Sequence, residues 1–226
     1  MRDEAKKRAA ERAVEYVEEG QVVGLGTGST TRFAIEAIGR RVKEGLRITG
    51  VPTSKDSDAL ARELGIPLVD LNDIEKIDIT IDGSDEIDSR FDMIKGGGGA
   101  MTREKLVALA SRTRIIVVDE PKLVSSLGQT RPLPVEVLPF AWRMSARCLS
   151  ELGCKPVLRS SGEAAFVTDN GNYILDCEFG PIEDPPSMEK RIKLIPGVVE
   201  SGLFIAIADS VIIAFDDRVE VRSRPA

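Results

Sequence analysis

The chain has 226 residues, a formal net charge of −6 and no histidine. At about 150 residues per domain its length allows one domain with an appendage or two unequal ones. The missing histidines exclude a Ser-His-Asp triad, a Cys-His pair, an HExxH zinc site and a haem histidine, and leave proton transfer to carboxylates, lysines, tyrosines or a thiolate.

Residues 3–19 place Ala10, Ala13, Val14 and Val17 at helical spacing, and Gly20 ends the run. Val22 and Val23 open a short buried strand. The turn Gly24-Leu25-Gly26-Thr27-Gly28-Ser29-Thr30 follows, then a second helical period through Ala34, Ala37, Ile38 and Val42. Residues 46–51 read as a strand, and Ser54 caps a helix that carries Leu60 and Leu64 and stops at Gly65. Residues 67–71 read as another short strand. Residues 77–82 alternate apolar and polar side chains as a strand that ends on Asp82. A helix over 100–111 and a buried strand over 114–118 come next. This alternation predicts an α/β, Rossmann-like, mostly parallel sheet with helices on both faces. Ligands of such sheets sit beyond the carboxyl ends of the strands.

The character changes near residue 128. Pro132-Leu133-Pro134 leads into a strand over 135–138 and a helix with Met144, Cys148 and Leu152 on one face. Strands are expected over 156–159, 163–168 and 173–178, the last two joined by Asp169-Asn170-Gly171-Asn172 as a type I′ hairpin turn. Residues 187–194 read as a helix closed by Pro196-Gly197. The pattern is that of a smaller α+β domain of split βαβ, ferredoxin-like type. Residues 211–215 and 219–221 read as strands returning to the first sheet. The expected division is a catalytic α/β domain over 1–128 plus 204–226, and a small α+β domain over 129–203.

Hydrophobic residues at 42% and charged residues at 30% describe a globular chain. The acidic balance and 4% aromatic content argue against a nucleic-acid partner. Cys148, Cys154 and Cys177 form no CxxC pair and are expected as reduced, packed thiols. The first residues lack the apolar segment of a signal peptide, and no apolar run approaches the roughly 18 residues of a membrane span. The expected location is the cytoplasm, with no membrane partner.

Four segments carry chemistry. Gly26-Thr27-Gly28-Ser29-Thr30, between a strand and a helix, lets backbone amides and three hydroxyls approach a terminal phosphate. It lacks the lysine of a Walker A loop, and taken alone it fits an ordinary capped βα turn equally well. Asp82-Gly83-Ser84-Asp85-Glu86-Ile87-Asp88 crowds four carboxyl side chains after a strand. A divalent metal or an acidic surface loop are rival readings there, though the spacing fails the EF-hand pattern. Lys95-Gly96-Gly97-Gly98-Gly99 is entropically costly to order and suits backbone amides aimed at a developing oxyanion. Glu104, in the helix behind it, is placed to act as a general base whose pKa a desolvated sugar would raise. Lys122 is a lone cation after the strand over 114–118.

In this order the segments resemble the ribose-5-phosphate isomerase A family, as do Thr102-Arg103-Glu104-Lys105, Pro132-Leu133-Pro134-Val135-Glu136-Val137, Val167-Thr168-Asp169-Asn170-Gly171-Asn172, and Ile195-Pro196-Gly197-Val198-Val199 with Gly202-Leu203-Phe204. The resemblance implies an aldose–ketose isomerase that interconverts D-ribose 5-phosphate and D-ribulose 5-phosphate through an enediolate, in the non-oxidative pentose phosphate pathway. It implies no metal and no organic cofactor, a sugar phosphate as the partner molecule, and a homodimer or homotetramer. Carried over by position, Glu104 is the base and Asp82, Asp85 and Lys95 are catalytic. Thr27, Gly28, Ser29 and Thr30 hold the phosphate, and Gly83, Ser84, Gly96, Gly97, Gly98 and Lys122 line the sugar. Lys6 and Lys7 are open as further phosphate contacts. Ser84 stands where the family often has alanine, and Gly99 lengthens the glycine run. Two other readings remain at this point. One is a sugar-phosphate sensor, which would need a DNA-binding domain for which residues before 22 leave no room. The other is a CoA transferase or sugar-phosphate deaminase with a related sheet.

Overall fold

Val22-Val23-Gly24-Leu25 is short, apolar and bounded by turn residues, which suits a strand covered on both faces. In the computed structural model, which describes residues 2–224, it is the second element of the chain. In chain order the elements are α1 (Arg2–Val14), β1 (Val22–Leu25), α2 (Ser29–Lys43), β2 (Thr49–Pro52), α3 (Lys55–Glu63), β3 (Ile77–Gly83), β4 (Glu86–Ile87), β5 (Met93–Ile94), α4 (Met101–Leu109) and β6 (Ser111–Asp119). There follow β7 (Leu133–Val137), α5 (Trp142–Glu151), β8 (Lys155–Leu158), β9 (Ser160–Ser161), β10 (Ala164–Ala165), β11 (Tyr173–Glu178), α6 (Pro185–Lys193), β12 (Val198–Ser201), β13 (Leu203–Phe204), β14 (Ser210–Ala214) and β15 (Val219–Ser223).

The chain divides into two compact units. The first comprises Met1–Ser84, Arg103–Lys122 and Ile207–Ala226, and the second Asp85–Thr102 and Leu123–Ala206. Met1, Pro225 and Ala226, which the expected domain limits include, lie outside the described residues. Residues 85–102, 123–128 and 204–206 thus group with the second unit, whereas the sequence reading assigned them to the first. The reason is local pairing. β5 pairs antiparallel with both β4 and β13, and the buried Glu86 carboxyl accepts from the amides of Gly128 and Thr130 at 2.6 Å and of Arg131 at 2.8 Å. Strands of two residues leave no periodicity to read.

The first unit is built on a six-stranded sheet in the order β15-β14-β6-β3-β1-β2. Every pairing in it is parallel except that of the edge strand β15 with β14. The two C-terminal strands therefore do return to the first sheet. Val23, Leu25, Ile79, Ile81, Ile115, Val117 and Ile212 turn one face toward the alanines of α1 and the apolar stripe of α2. Gly24 and Thr80 turn to the other face, where Val107 of α4 packs. Helices thus cover both faces, as the alternating pattern requires. α1 stops at Val14 rather than running to 19, because Arg41 Nη1 donates to the carbonyls of Val14 and Val17 at 2.6 and 3.0 Å. The strand expected over 67–71 reduces to one bridge between Leu68 and Gly50, followed by a 3-10 turn at Leu71–Asp73 that Asp70 caps.

The second unit contains a four-stranded antiparallel sheet in the order β12-β7-β11-β8, with α5 and α6 as its crossings. This is a βαββαβ arrangement of ferredoxin-like type. The expected strand over 163–168 shrinks to β10, which pairs with β9 and not with β11. The turn at 169–171 is closed by Thr168 N donating to Asn172 O at 2.8 Å and Gly171 N donating to Thr168 O at 2.9 Å. Only Gly171 has a positive φ, so this is a three-residue loop with a left-handed third position and not type I′.

One buried carboxyl explains that change. Glu136 on β7 is 0% exposed and accepts from Thr168 Oγ1 at 2.9 Å, Asn172 Nδ2 at 2.8 Å and Asn170 Nδ2 at 3.2 Å through one oxygen. Its other oxygen accepts from the Thr102 hydroxyl at the start of α4. A buried carboxyl left without such donors is expensive, so the 168–172 segment folds onto it.

Truncating Ile212, which is wholly buried in the main core, to alanine should cost about 2–5 kcal/mol, whereas Leu109→Ala at an exposed site should stay within about 0.5 kcal/mol. Denaturation midpoints compare the two. Glu136→Ala strands four side-chain donors at about 1–3 kcal/mol each if none finds water. Glu136→Gln should keep most of the stability, because the Thr102 hydroxyl can reverse and accept from the new amide. Equal melting of the two variants would contradict that account of the Glu136 cluster.

Candidate active site

In an open parallel sheet the ligand crevice lies where neighbouring strands send their connections to opposite sides. In the first unit that point is between β1 and β3, because β1 connects outward to β2 while β3 lies on its other side next to β6. The glycine loop leaves β1 there, and Asp82 is the next-to-last residue of β3.

Asp82 is 2% exposed. Its Oδ1 accepts from Gly83 N at 2.7 Å and from Thr27 N at 3.2 Å, so one carboxyl ties the loop after β1 to the end of β3. A Cβ on Gly26 would lie 2.2 Å from that same oxygen and 2.7 Å from the Asp82 Cα, which only glycine avoids. Thr27 Oγ1 lies 2.7 Å from Thr53 Oγ1 and donates to Ser54 Oγ at 2.8 Å. Ser54 in turn caps α3 in a reciprocal capping box with Ser57. The loop is therefore held from two sides.

Its far end is left open. Gly28 is the N-cap of α2 at φ 117 and supplies no side-chain cap, and the first return bond of the helix runs from Arg32 N to Gly28 O. The amides of Ser29, Thr30 and Thr31 come before that bond and point out of the helix start, an arrangement that favours an anion. Ser29 is exposed, and Lys6 Nζ reaches its hydroxyl at 3.4 Å. Of the two lysines left open by the sequence, Lys6 is thus the one brought to the loop. Thr30 is buried and its hydroxyl makes no hydrogen bond among the described residues, so it offers the loop its amide rather than its side chain.

Four further predicted residues of the first unit lie at or just after strand ends or begin a helix. Gly83 and Ser84 are buried directly after Asp82. Glu104 lies in the first turn of α4 and is 4% exposed. Lys122 closes the 3-10 turn after β6, with its Nζ 3.9 Å from Asp119 Oδ1.

The second unit holds the remaining predicted residues: Asp85, Lys95, Gly96, Gly97 and Gly98. Asp85 N donates to Ile94 O at 2.9 Å, and Asp85 Oδ2 accepts from Gly97 N at 2.7 Å, so the acidic turn and the glycine run are bonded to each other. Lys95 is 3% exposed, with its ammonium 5.6 Å from the centre of the Phe204 ring. Gly96 and Gly99 have φ of 109 and 82, so the run is conformationally required rather than a flexible linker. A cleft of about 370 Å³ is lined by Asp85, Gly97, Arg131, Arg159 and Asp176.

The sequence reading missed Thr53, which fastens Thr27, and Arg159, which donates to the carbonyls of Gly96 and Gly97 at 2.8 and 3.2 Å. Neither has a local signal, since both act on residues far away in the chain. Cys154 and Cys177 are buried in the core of the second unit. The neighbouring Cys154 thiol, followed by burial, pushes the Cys177 thiol up, away from thiolate chemistry. Among the described residues no group of three or more Cys, Asp or Glu side chains is arranged to hold a metal ion, and no helix is long and apolar enough to cross a membrane.

Comparison with known proteins gives a consistent result. The model of the ribose 5-phosphate isomerase A (phosphoriboisomerase A) family matches residues 49–218. Ribose-5-phosphate isomerase A of Gloeobacter violaceus is 52% identical over 220 residues, covering 97% of this chain and 96% of its own. The protein of the same name from Thermomicrobium roseum is 47% identical, with 98% and 94% covered. A solved D-ribose-5-phosphate isomerase in complex with phospho-erythronic acid superposes with a TM-score of 0.95 at 43% identity over 98% of each chain. The Plasmodium falciparum ribose 5-phosphate isomerase superposes with a TM-score of 0.96 at 40% identity, covering 99% of this chain and all of the other. With a matching family model over most of its length and relatives about half identical from end to end, the chain belongs to the ribose 5-phosphate isomerase A family.

Proposed function

We propose that the protein interconverts D-ribose 5-phosphate and D-ribulose 5-phosphate in the non-oxidative pentose phosphate pathway. The same reading makes it a cytoplasmic homodimer or homotetramer. The observation that carries the activity is the end-to-end similarity to relatives of that name. The open start of α2 beside a fixed Asp82 supports it, because it suits the terminal phosphate of a small sugar. So does the complex of one relative with a phosphorylated sugar acid.

In this reading the phosphate rests on the amides of Gly28, Ser29 and Thr30, with the hydroxyls of Thr27 and Ser29 and the Lys6 ammonium beside it. Glu104 removes the proton from C2 of the open-chain aldose. The C2–H electron pair becomes the C1–C2 double bond of an enediolate, and the charge falls on the substrate oxygens. Lys95 and the amides of Gly96 and Gly98 face that charge, where preorganised donors have their largest effect, while the Gly97 amide holds the Asp85 carboxyl. Glu104 then returns the proton to C1 while the C2 carbonyl forms, and a proton passes from the C2 oxygen to O1. A carboxylate has two oxygens and can serve both carbons from one face. Asp82 or Asp85 moves the hydroxyl proton when the furanose ring opens. Gly83, Ser84 and Lys122 complete the sugar's surroundings. No metal or organic cofactor is required.

A direct assay of ribose 5-phosphate conversion tests this, with and without EDTA. Turnover should persist under the chelator; loss only with EDTA would restore a metal role for the acidic turn. Glu104→Gln should lower kcat by about 10²–10⁴-fold while sugar phosphate still binds, and near-wild-type turnover would remove Glu104 as the base. Ser29→Ala should raise KM about ten-fold with kcat kept, since its contact is the same in ground and transition states. A pure loss of kcat would contradict the phosphate assignment.

A further inference from the structure

We infer that Arg159 is a positioning residue that sets the direction of the Gly97 and Gly98 amides; the inference rests on the isomerase reading above. Four glycines in a row have little preference of their own for any conformation. Something outside the run must choose which way its peptide planes face, and the structure assigns that task to one guanidinium. Arg159 Nη1 donates to Gly96 O at 2.8 Å and to Gly97 O at 3.2 Å. In a trans peptide the carbonyl and the next N–H point to opposite sides. Two successive carbonyls gathered on one cation therefore turn the N–H groups of Gly97 and Gly98 away from it. The first of these is seen to land there, on Asp85 Oδ2 at 2.7 Å. The second stands beside it and has no protein acceptor among the described residues.

The guanidinium is itself immobilised. Its Nε and Nη2 bond both oxygens of Asp176 at 2.9 and 2.5 Å, and its Cζ lies 5.8 Å from the centre of the Phe166 ring. Both partners of this pair are largely buried, with side-chain exposures of 16% and 23%. A bidentate Arg–Asp pair fixes the plane of the fork, and its remaining nitrogen carries that orientation to the loop. Arg159 is assigned no contact with the substrate. Its effect passes through the Gly98 amide and through Asp85, which the Gly97 amide holds, so it belongs to the transition state more than to ground-state binding.

Steady-state kinetics of Arg159→Ala test this, together with inhibition by 4-phospho-D-erythronate, whose carboxylate resembles the enediolate oxygens, and by inorganic phosphate. The expected result is a fall in kcat of about 10- to 100-fold, with KM and the phosphate inhibition constant changed by less than about three-fold. Phospho-erythronate should weaken in proportion to the loss of kcat/KM. Arg159→Lys, which keeps a donor for the loop, should recover part of the rate. If Arg159→Ala does not fold, Asp176→Asn decides the matter, since it frees the guanidinium at constant shape and should show the same split in smaller measure. Wild-type kcat in a folded variant, or equal losses of phosphate and phospho-erythronate binding with kcat intact, overturns the inference alone. A wild-type protein that leaves ribose 5-phosphate unconverted overturns the isomerase reading and the inference with it.

Discussion

A carboxyl group taken out of water must be met by donors, and the arrangement of this protein's loops follows from how that demand is answered. Asp82 meets it with the amides of Thr27 and Gly83, and so locks the loop after β1 to the end of β3. Glu86 meets it with the amides of Gly128, Thr130 and Arg131, and gathers a connection that has no regular structure of its own. Glu136 meets it with two hydroxyls and two side-chain amides. In each case the carboxyl does what a short strand pairing cannot, because donors otherwise unpaired converge on it: backbone amides at Asp82 and Glu86, side-chain groups at Glu136.

This also separates two kinds of family-like motif. The glycine loop and Asp82 lie where the first unit's sheet binds ligands, and in the second unit Asp85 and the glycine run bond to each other. The Pro-Leu-Pro-Val-Glu-Val and Val-Thr-Asp-Asn-Gly-Asn segments carry no chemistry of their own. They meet at Glu136, where the threonine and both asparagines of the second segment bond the glutamate of the first. Their residues are those of a buried hydrogen-bond cluster, whose members fix one arrangement only when all are satisfied.

The glycine run shows the complementary problem. Glycine permits the backbone path the loop follows, with positive φ at Gly96 and Gly99. Permission is not direction, however, and the order in the loop comes from Asp85 on one side and Arg159 on the other. A flexible segment can thus serve an electrostatic role without reorganising during the reaction, because rigid neighbours absorb the entropic cost in the folded state.

The sequence by itself determined the parallel α/β sheet, the ferredoxin-like second region, the return of the last strands and the glycine turn between β1 and α2. Each of these rests on local information: apolar periodicity of 2 or 3.6, capping residues, and glycines at strand ends. It did not determine where α1 stops, that 67–71 makes a single bridge, the form of the turn at 169–171, or the division of 85–102, 123–128 and 204–206 between the units. Those outcomes are decided by partners 18 to 63 positions away: Gly50 on Leu68, Arg41 on the Val17 carbonyl, Glu86 on the Gly128 amide, Glu136 on Asn172 and Arg159 on Gly96. A side chain's donor or acceptor is visible in its own letter, but the group it meets is chosen by the path of the chain, and only the tertiary structure contains that path.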